Sequence, residues 1–152
     1  VWTPEYGREY WETHQVARRL TLVQLEEIAE GHLEREERLV QIARDVDTNA
    51  ITTYMFSRYY HGKATPRLTE LAVEAASRYD LVFVCNTDIP YADTWDRSGD
   101  VQRQVFQKQI LADLAMRRIP YFLLRGTLEE RASQVSRVLA RFRRYCSLVE
   151  GM

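Results

Sequence analysis

Two short apolar runs constrain this chain more than any other feature. Leu81-Val82-Phe83-Val84-Cys85 and Pro120-Tyr121-Phe122-Leu123-Leu124 are continuous in apolar character instead of alternating. A strand with one wet face alternates, so an unbroken run of this length reads as a strand of a parallel sheet, covered on both faces. Helical patterns surround them. Leu68, Leu71, Ala72, Ala75, Ala76 and Tyr79 form a stripe at three- and four-residue steps that leads into the first run. Between the runs a helix is predicted over roughly 100–118, with Phe106, Ile110, Leu111 and Leu114 on one face. After Gly126, Thr127 and Glu130 have the spacing of a capping box, and Val135, Val138, Leu139 and Phe142 follow at helical spacing. Helix, strand, loop, helix, strand, helix is the order of an α/β fold with a parallel sheet and right-handed crossovers.

The first half is more helical. Thr21 and Gln24 resemble a second capping box, and the charged stretch from Leu22 to about Ala43 is helix-prone, with Glu34 and Arg38 at a favourable i,i+4 spacing. The 152 residues are 45% apolar and 28% charged, enough for a core, with no repeat or low-complexity linker. Residues 1–152 therefore read as a single domain. A formal net charge of -1 gives no basis for binding nucleic acid or an acidic membrane. The short basic cluster Arg141, Arg143 and Arg144 reads as a solvated helix end. Cys85 and Cys146 are far apart and fit neither a disulfide framework nor a zinc site, and His14, His32 and His61 form no His-x-x-x-His pair. No apolar run approaches the roughly 20 residues of a membrane span. A reducing, cytoplasmic setting is expected.

Ligands of open α/β sheets bind at the carboxyl ends of strands. The segment after the first run, from Asn86 to Arg103, is long for a plain connection and carries Tyr91, Trp95, Arg97 and Arg103 among four aspartates. Asp93, Asp96, Arg97, Asp100 and Arg103 recur at three- or four-residue steps. Their arginines suit bidentate phosphate binding; an exposed salt-bridged surface is the competing reading. A second cluster is Asp47-Thr48-Asn49-Ala50-Ile51-Thr52-Thr53-Tyr54. A carboxylate with nearby hydroxyls suits Mg²⁺ and phosphate chemistry, while Asp47 or Thr48 capping a helix is an equal alternative. A third is Pro4-Glu5-Tyr6-Gly7-Arg8-Glu9-Tyr10, where Glu5 and Arg8 flank a glycine.

Together these segments resemble the kinase domain of NadR-type proteins, bacterial NAD-salvage proteins that pair a nicotinamide-nucleotide adenylyltransferase with a ribosylnicotinamide kinase. The resemblance implies a P-loop NTPase-like parallel sheet with helices on both faces. It also implies phosphoryl transfer from ATP·Mg²⁺ to the 5′-hydroxyl of nicotinamide riboside. Carried over, Asp47 is the catalytic acidic residue at Mg²⁺ and the substrate hydroxyl, supported by Thr48 and Thr52. Glu5 and Arg8 lie near the ribose, and Arg97 and Arg103 face the transferred phosphate. Tyr54, Tyr91 and Trp95 are candidates to stack on the cationic nicotinamide ring.

Two departures stand out. The family's first strand and Walker A loop, Gly-x-x-x-x-Gly-Lys-Ser/Thr, do not occur in these residues; Gly62-Lys63-Ala64 is the nearest approach. The lead-in to Asp47, Gln41-Ile42-Ala43-Arg44-Asp45-Val46, is charged and helix-like where the family has an apolar strand. The chain is accordingly expected to be part of a longer protein with an adenylyltransferase domain before Val1, and to self-associate. Two alternatives remain open: a non-catalytic nucleoside-sensing remnant, and a P-loop kinase for another small nucleoside.

Overall fold

The structure, a computed structural model, describes residues 2–3, 6–14, 19–39, 45–90 and 100–150. The chain forms two compact units, Val1–Asp80 and Leu81–Met152.

The first unit runs β1 (Trp2–Thr3), α1 (Tyr6–His14), α2 (Leu22–Leu39), β2 (Asp45–Val46), α3 (Ala50–His61) and α4 (Pro66–Ala75). The two strands pair in parallel, Trp2 opposite Asp45 and Thr3 opposite Val46. The predicted capping box starts α2: the Thr21 N–H donates to Gln24 Oε1 at 2.9 Å, and the Gln24 N–H donates to Thr21 Oγ1 at 3.2 Å. Its inward stripe is Leu25, Ile28, Ala29, His32 and Glu36. In α4, Thr65 caps with its hydroxyl on the Leu68 N–H at 3.1 Å, and Pro66 occupies the first turn, where its missing N–H costs nothing. The stripe read from sequence is the buried face of this helix, with Leu68, Leu71, Ala72 and Ala75 in the core against α2 and α3. Gly62 ends α3 in the left-handed region, φ 68°, and its N–H donates to Arg58 O at 3.0 Å.

Three sequence expectations change here. The cap of α3 is neither Asp47 nor Thr48 but Asn49, whose Oδ1 accepts from the Ile51 and Thr52 N–H groups at 3.0 and 3.3 Å. Asn49 is extended and Thr48 is left-handed, so only Asn49 has the backbone of a cap. The lead-in to Asp47 is also not helical at its end: Asp45 and Val46 are a strand, because pairing with β1 overrides the local charge pattern. Residues 40–44 lie outside the described residues. The Glu34–Arg38 pair is not among the ion pairs of the described residues; α2 instead joins Arg35 to Glu9 of α1, and Glu36 and Glu37 to Arg78.

The second unit runs β3 (Phe83–Cys85), α5 (Asp100–Met116), β4 (Phe122–Leu124) and α6 (Leu128–Glu150). The strands pair in parallel, Phe83 opposite Phe122 and Cys85 opposite Leu124, with the two phenylalanine rings 5.6 Å apart. Each strand is three residues long where the apolar run has five. Leu124 is buried, but Cys85 and Phe122 are exposed, so full coverage of both faces is not met among the described residues. The physical reason is that β3 and β4 have only each other as described strand partners. The Thr127–Glu130 capping box forms as predicted, with bonds of 2.7 and 3.3 Å. α6 continues to Glu150, so the basic cluster at Arg141, Arg143 and Arg144 stands inside the helix and not at its end.

Candidate functional site

The strands of the first unit end side by side. Thr3 and Val46 are paired, so β1 and β2 end together, and the turn carrying Asp47 leaves that end of the parallel pair. That is where α/β sheets place ligands. Asp47 is exposed and directly follows β2; Thr48 is half-buried, and Asn49 then opens α3. The first amides of α3 lie within a turn of Asp47, and a helix N-terminus favours anionic groups. Thr52 sits in the first helical turn, and Tyr54 follows it, its hydroxyl accepting a long 3.5 Å bond from Arg58 Nη1. Arg8 is exposed near the start of α1. The topology thus brings Arg8, Asp47, Thr48 and Thr52 to one strand end of one unit. Glu5, Tyr91, Trp95 and Arg97 lie outside the described residues.

A cluster that the sequence reading passed over braces this end. Tyr6 of α1 packs edge-on to the His32 ring, centroids 5.8 Å apart, and Thr48 Oγ1 lies 3.5 Å from His32 Nε2. Burial, with Arg35 nearby, pushes the His32 imidazole down to about 4. Arg35 reaches over the Tyr6 ring at 4.8 Å and pairs with Glu9 Oε2 at 2.5 Å. Tyr6 approaches α2 closely at Gly31, where an added Cβ would stand 2.1 Å from Cε1 of the ring. Further along α1, the Tyr10 hydroxyl donates to Glu27, and burial followed by that carboxylate raises it to about 12. One signal was available for His32: it falls on the same helical stripe as Leu25, Ile28 and Ala29.

The second unit has its own strand end, built around Arg131. This buried guanidinium donates from Nε to Gly126 O at 2.8 Å, from Nη1 to Leu124 O at 3.0 Å, and from both Nη atoms to Asn86 O at 3.4 Å; Nη2 also pairs with Asp88 Oδ1. Asp88 Oδ2 accepts from the Gly126 N–H at 2.8 Å, and that bond, then Arg131, holds its carboxyl below the usual value. Arg103 Nη2 donates to Thr87 O and Ile89 O at 2.6 and 2.8 Å, and Gln107 Nε2 to Cys85 O at 3.2 Å. Side chains of α5 and α6 therefore fix the carbonyls of residues 85, 86, 87 and 89. Arg103, expected at the phosphate, is here in the base of the loop that follows β3. Nothing in local spacing marked Arg131, whose partners Asn86 and Asp88 lie 45 and 43 residues away.

Among the described residues no group of three or more His, Cys, Asp or Glu gathers to hold a metal by itself. Asp47 fits the other mode, in which Mg²⁺ takes one or two carboxylates and completes its shell with water and phosphate oxygens. A phosphate cradle does not fit these residues, since no Gly-x-x-x-x-Gly-Lys-Ser/Thr occurs in the sequence. Among the described residues no helix is long and apolar enough to cross a membrane.

A family profile described as an AAA domain matches residues 1–131. The chain belongs to this family. Its α/β architecture with parallel strand pairs is P-loop NTPase-like. The chain is also similar to the trifunctional NAD biosynthesis/regulator protein NadR of Salmonella typhimurium and to the protein of the same name from Escherichia coli K12, 30% identical to each over 124 residues. These alignments cover 77% of this chain and 30% of each relative, so the chain spans less than a third of the length of the curated relatives it matches. The NadR-type resemblance carried by the three sequence segments thus extends over most of the chain.

Proposed function

We propose that this chain is the nucleoside side of a small-molecule kinase that phosphorylates the 5′-hydroxyl of nicotinamide riboside, giving nicotinamide mononucleotide in NAD biosynthesis. The observation that carries this reading is Asp47, an exposed carboxylate on the turn between a parallel strand and a capped helix. Phosphoryl transfer asks little covalent chemistry of a protein and much positioning. In this reading Asp47 orients the substrate hydroxyl and accepts its proton at a carboxylate oxygen, and Thr48 and Thr52 support it. Arg8 and Glu5 face the ribose, and Tyr54, Tyr91 and Trp95 offer π faces to the pyridinium. Arg97 neutralises charge on the transferred group, and Arg103, bonded to the Thr87 and Ile89 carbonyls, steadies the base of the loop that leads to it. Mg²⁺, held at Asp47 when bound, would offset the charge of the ATP phosphates. In this reading residues 1–152 belong to a single kinase-like domain.

A fused adenylyltransferase domain, self-association and a cytoplasmic setting belong to the same proposal. Its support is the AAA-domain family and the similarity to relatives named for NAD biosynthesis.

The test is a phosphorylation assay of the full-length source protein with ATP, Mg²⁺ and a panel of nucleosides. Turnover selective for nicotinamide riboside is expected, and Asp47→Asn should reduce it by about two or more orders of magnitude with the fold intact. Riboside binding without turnover would move the chain to the sensing reading. Preference for another nucleoside would correct the substrate. Near-normal turnover in the Asn variant would remove Asp47 from the chemistry.

A further inference from the structure

His32 has no part in the reading above, yet it is the buried ring beside it. It lies on the inward stripe of α2, 3% exposed, where a polar ring is costly unless it finds partners. Its polar neighbour is the Thr48 hydroxyl, and its ring neighbour is Tyr6; Arg35, one turn along α2, is a charge that acts on it. The imidazole is held neutral near physiological pH, so one ring nitrogen donates and the other accepts.

Thr48 is what makes this contact informative. Its φ is 60°, in the left-handed region that a β-branched side chain rarely enters. Such a backbone is costly and persists where its surroundings hold it. Pairing of β2 with β1 fixes the residues before the turn, and the Asn49 cap fixes those after it. His32 meets the strained residue itself, from a different helix.

We propose that His32 is a positioning residue: its buried ring ties α1 and the Thr48 turn together through Tyr6 and the Thr48 hydroxyl, and so sets where Asp47 is presented at the end of β2. The catalytic part of this inference rests on Asp47 acting in phosphoryl transfer; the structural part does not.

The experiment uses the full-length source protein and two variants. His32→Phe fills the space without a polar atom, and His32→Gln returns an amide near the place of Nε2. Hydrogen exchange is read over residues 48–52 and, as a control, over α4. His32→Phe should exchange about tenfold faster over residues 48–52 with α4 unchanged, and His32→Gln should stay close to wild type. In the kinase assay His32→Phe should lower kcat about tenfold with KM for the nucleoside nearly unchanged, and His32→Gln should recover most of it. Unchanged exchange in His32→Phe overturns the proposal, and so does faster exchange spread equally over residues 48–52 and α4. The local exchange change without any turnover in wild type overturns the kinase reading and leaves the positioning role standing. If His32→Phe does not fold, Thr48→Val removes the same contact from the other side. The same local change is expected there, and its absence sinks the idea.

Discussion

At the residue scale, the first unit depends on one close approach. The Tyr6 ring sits where a Gly31 Cβ would be, so Gly31→Ala must push the ring off α2 and should destabilise the unit by about 1–3 kcal/mol. The same change made in a Tyr6→Ala background should be neutral or stabilising by up to about 1 kcal/mol, because alanine is the better helix former. Denaturant melts of the four proteins check this. His32 supplies a second prediction. Its folded-state value, about 4, lies below the ordinary 6.5, so its contribution to stability is present above 6.5 and lost as the pH falls through the folded value. Between those limits the unfolded chain binds a proton that the folded chain refuses, a loss on the order of 3 kcal/mol. Tyr6, Thr48 and Arg35 face the ring, and none offers it a carboxylate to offset the loss. Unfolding free energies at pH 7 and pH 4.5 should therefore differ less in His32→Phe than in wild type.

At the scale of the element, the two capping boxes and the α4 stripe were legible from sequence because they are local. Thr21 with Gln24, and Thr127 with Glu130, need only three residues of helix to find each other. Strands β3 and β4 were legible in place and direction but not in extent, and β1 and β2 were not legible. How much of an apolar run becomes strand depends on a partner far along the chain, and the charged lead-in hid β2 altogether until β1 paired with it. Asp47 was legible as a candidate from its place among hydroxyl residues, but the cap next to it was not, since the choice of Asn49 depends on backbone angles. Arg131 was not legible at all. It nevertheless holds both strand ends of the second unit, and Arg131→Met should cost about 2–3 kcal/mol, as three backbone carbonyls and Asp88 lose a charged donor. Hydrogen exchange should rise around residues 86–89 and 124–126 before it rises in the first unit.

At the scale of the whole molecule, the kinase proposal divides into a nucleoside part and a phosphate part. The acidic strand end is present in these 152 residues, and the phosphate-cradling motif is not. The 152-residue chain by itself should therefore bind Mg·ATP weakly while retaining affinity for the riboside, a contrast that calorimetry reads directly. An ATP affinity matching that of the full-length protein would assign the phosphates to residues other than a Walker A loop.

The parallel strand pairs carry a consequence in time. Each joins residues about 40 positions apart, with one or more helices between them. Hairpins can close early and locally, but these pairings cannot, since the chain must first shorten itself by coiling its helices. Refolding should show helix content rising ahead of protection at Val46 and Leu124. The turn that bears Asp47 is then among the last parts to take shape, and any competence it has marks a chain whose folding is complete.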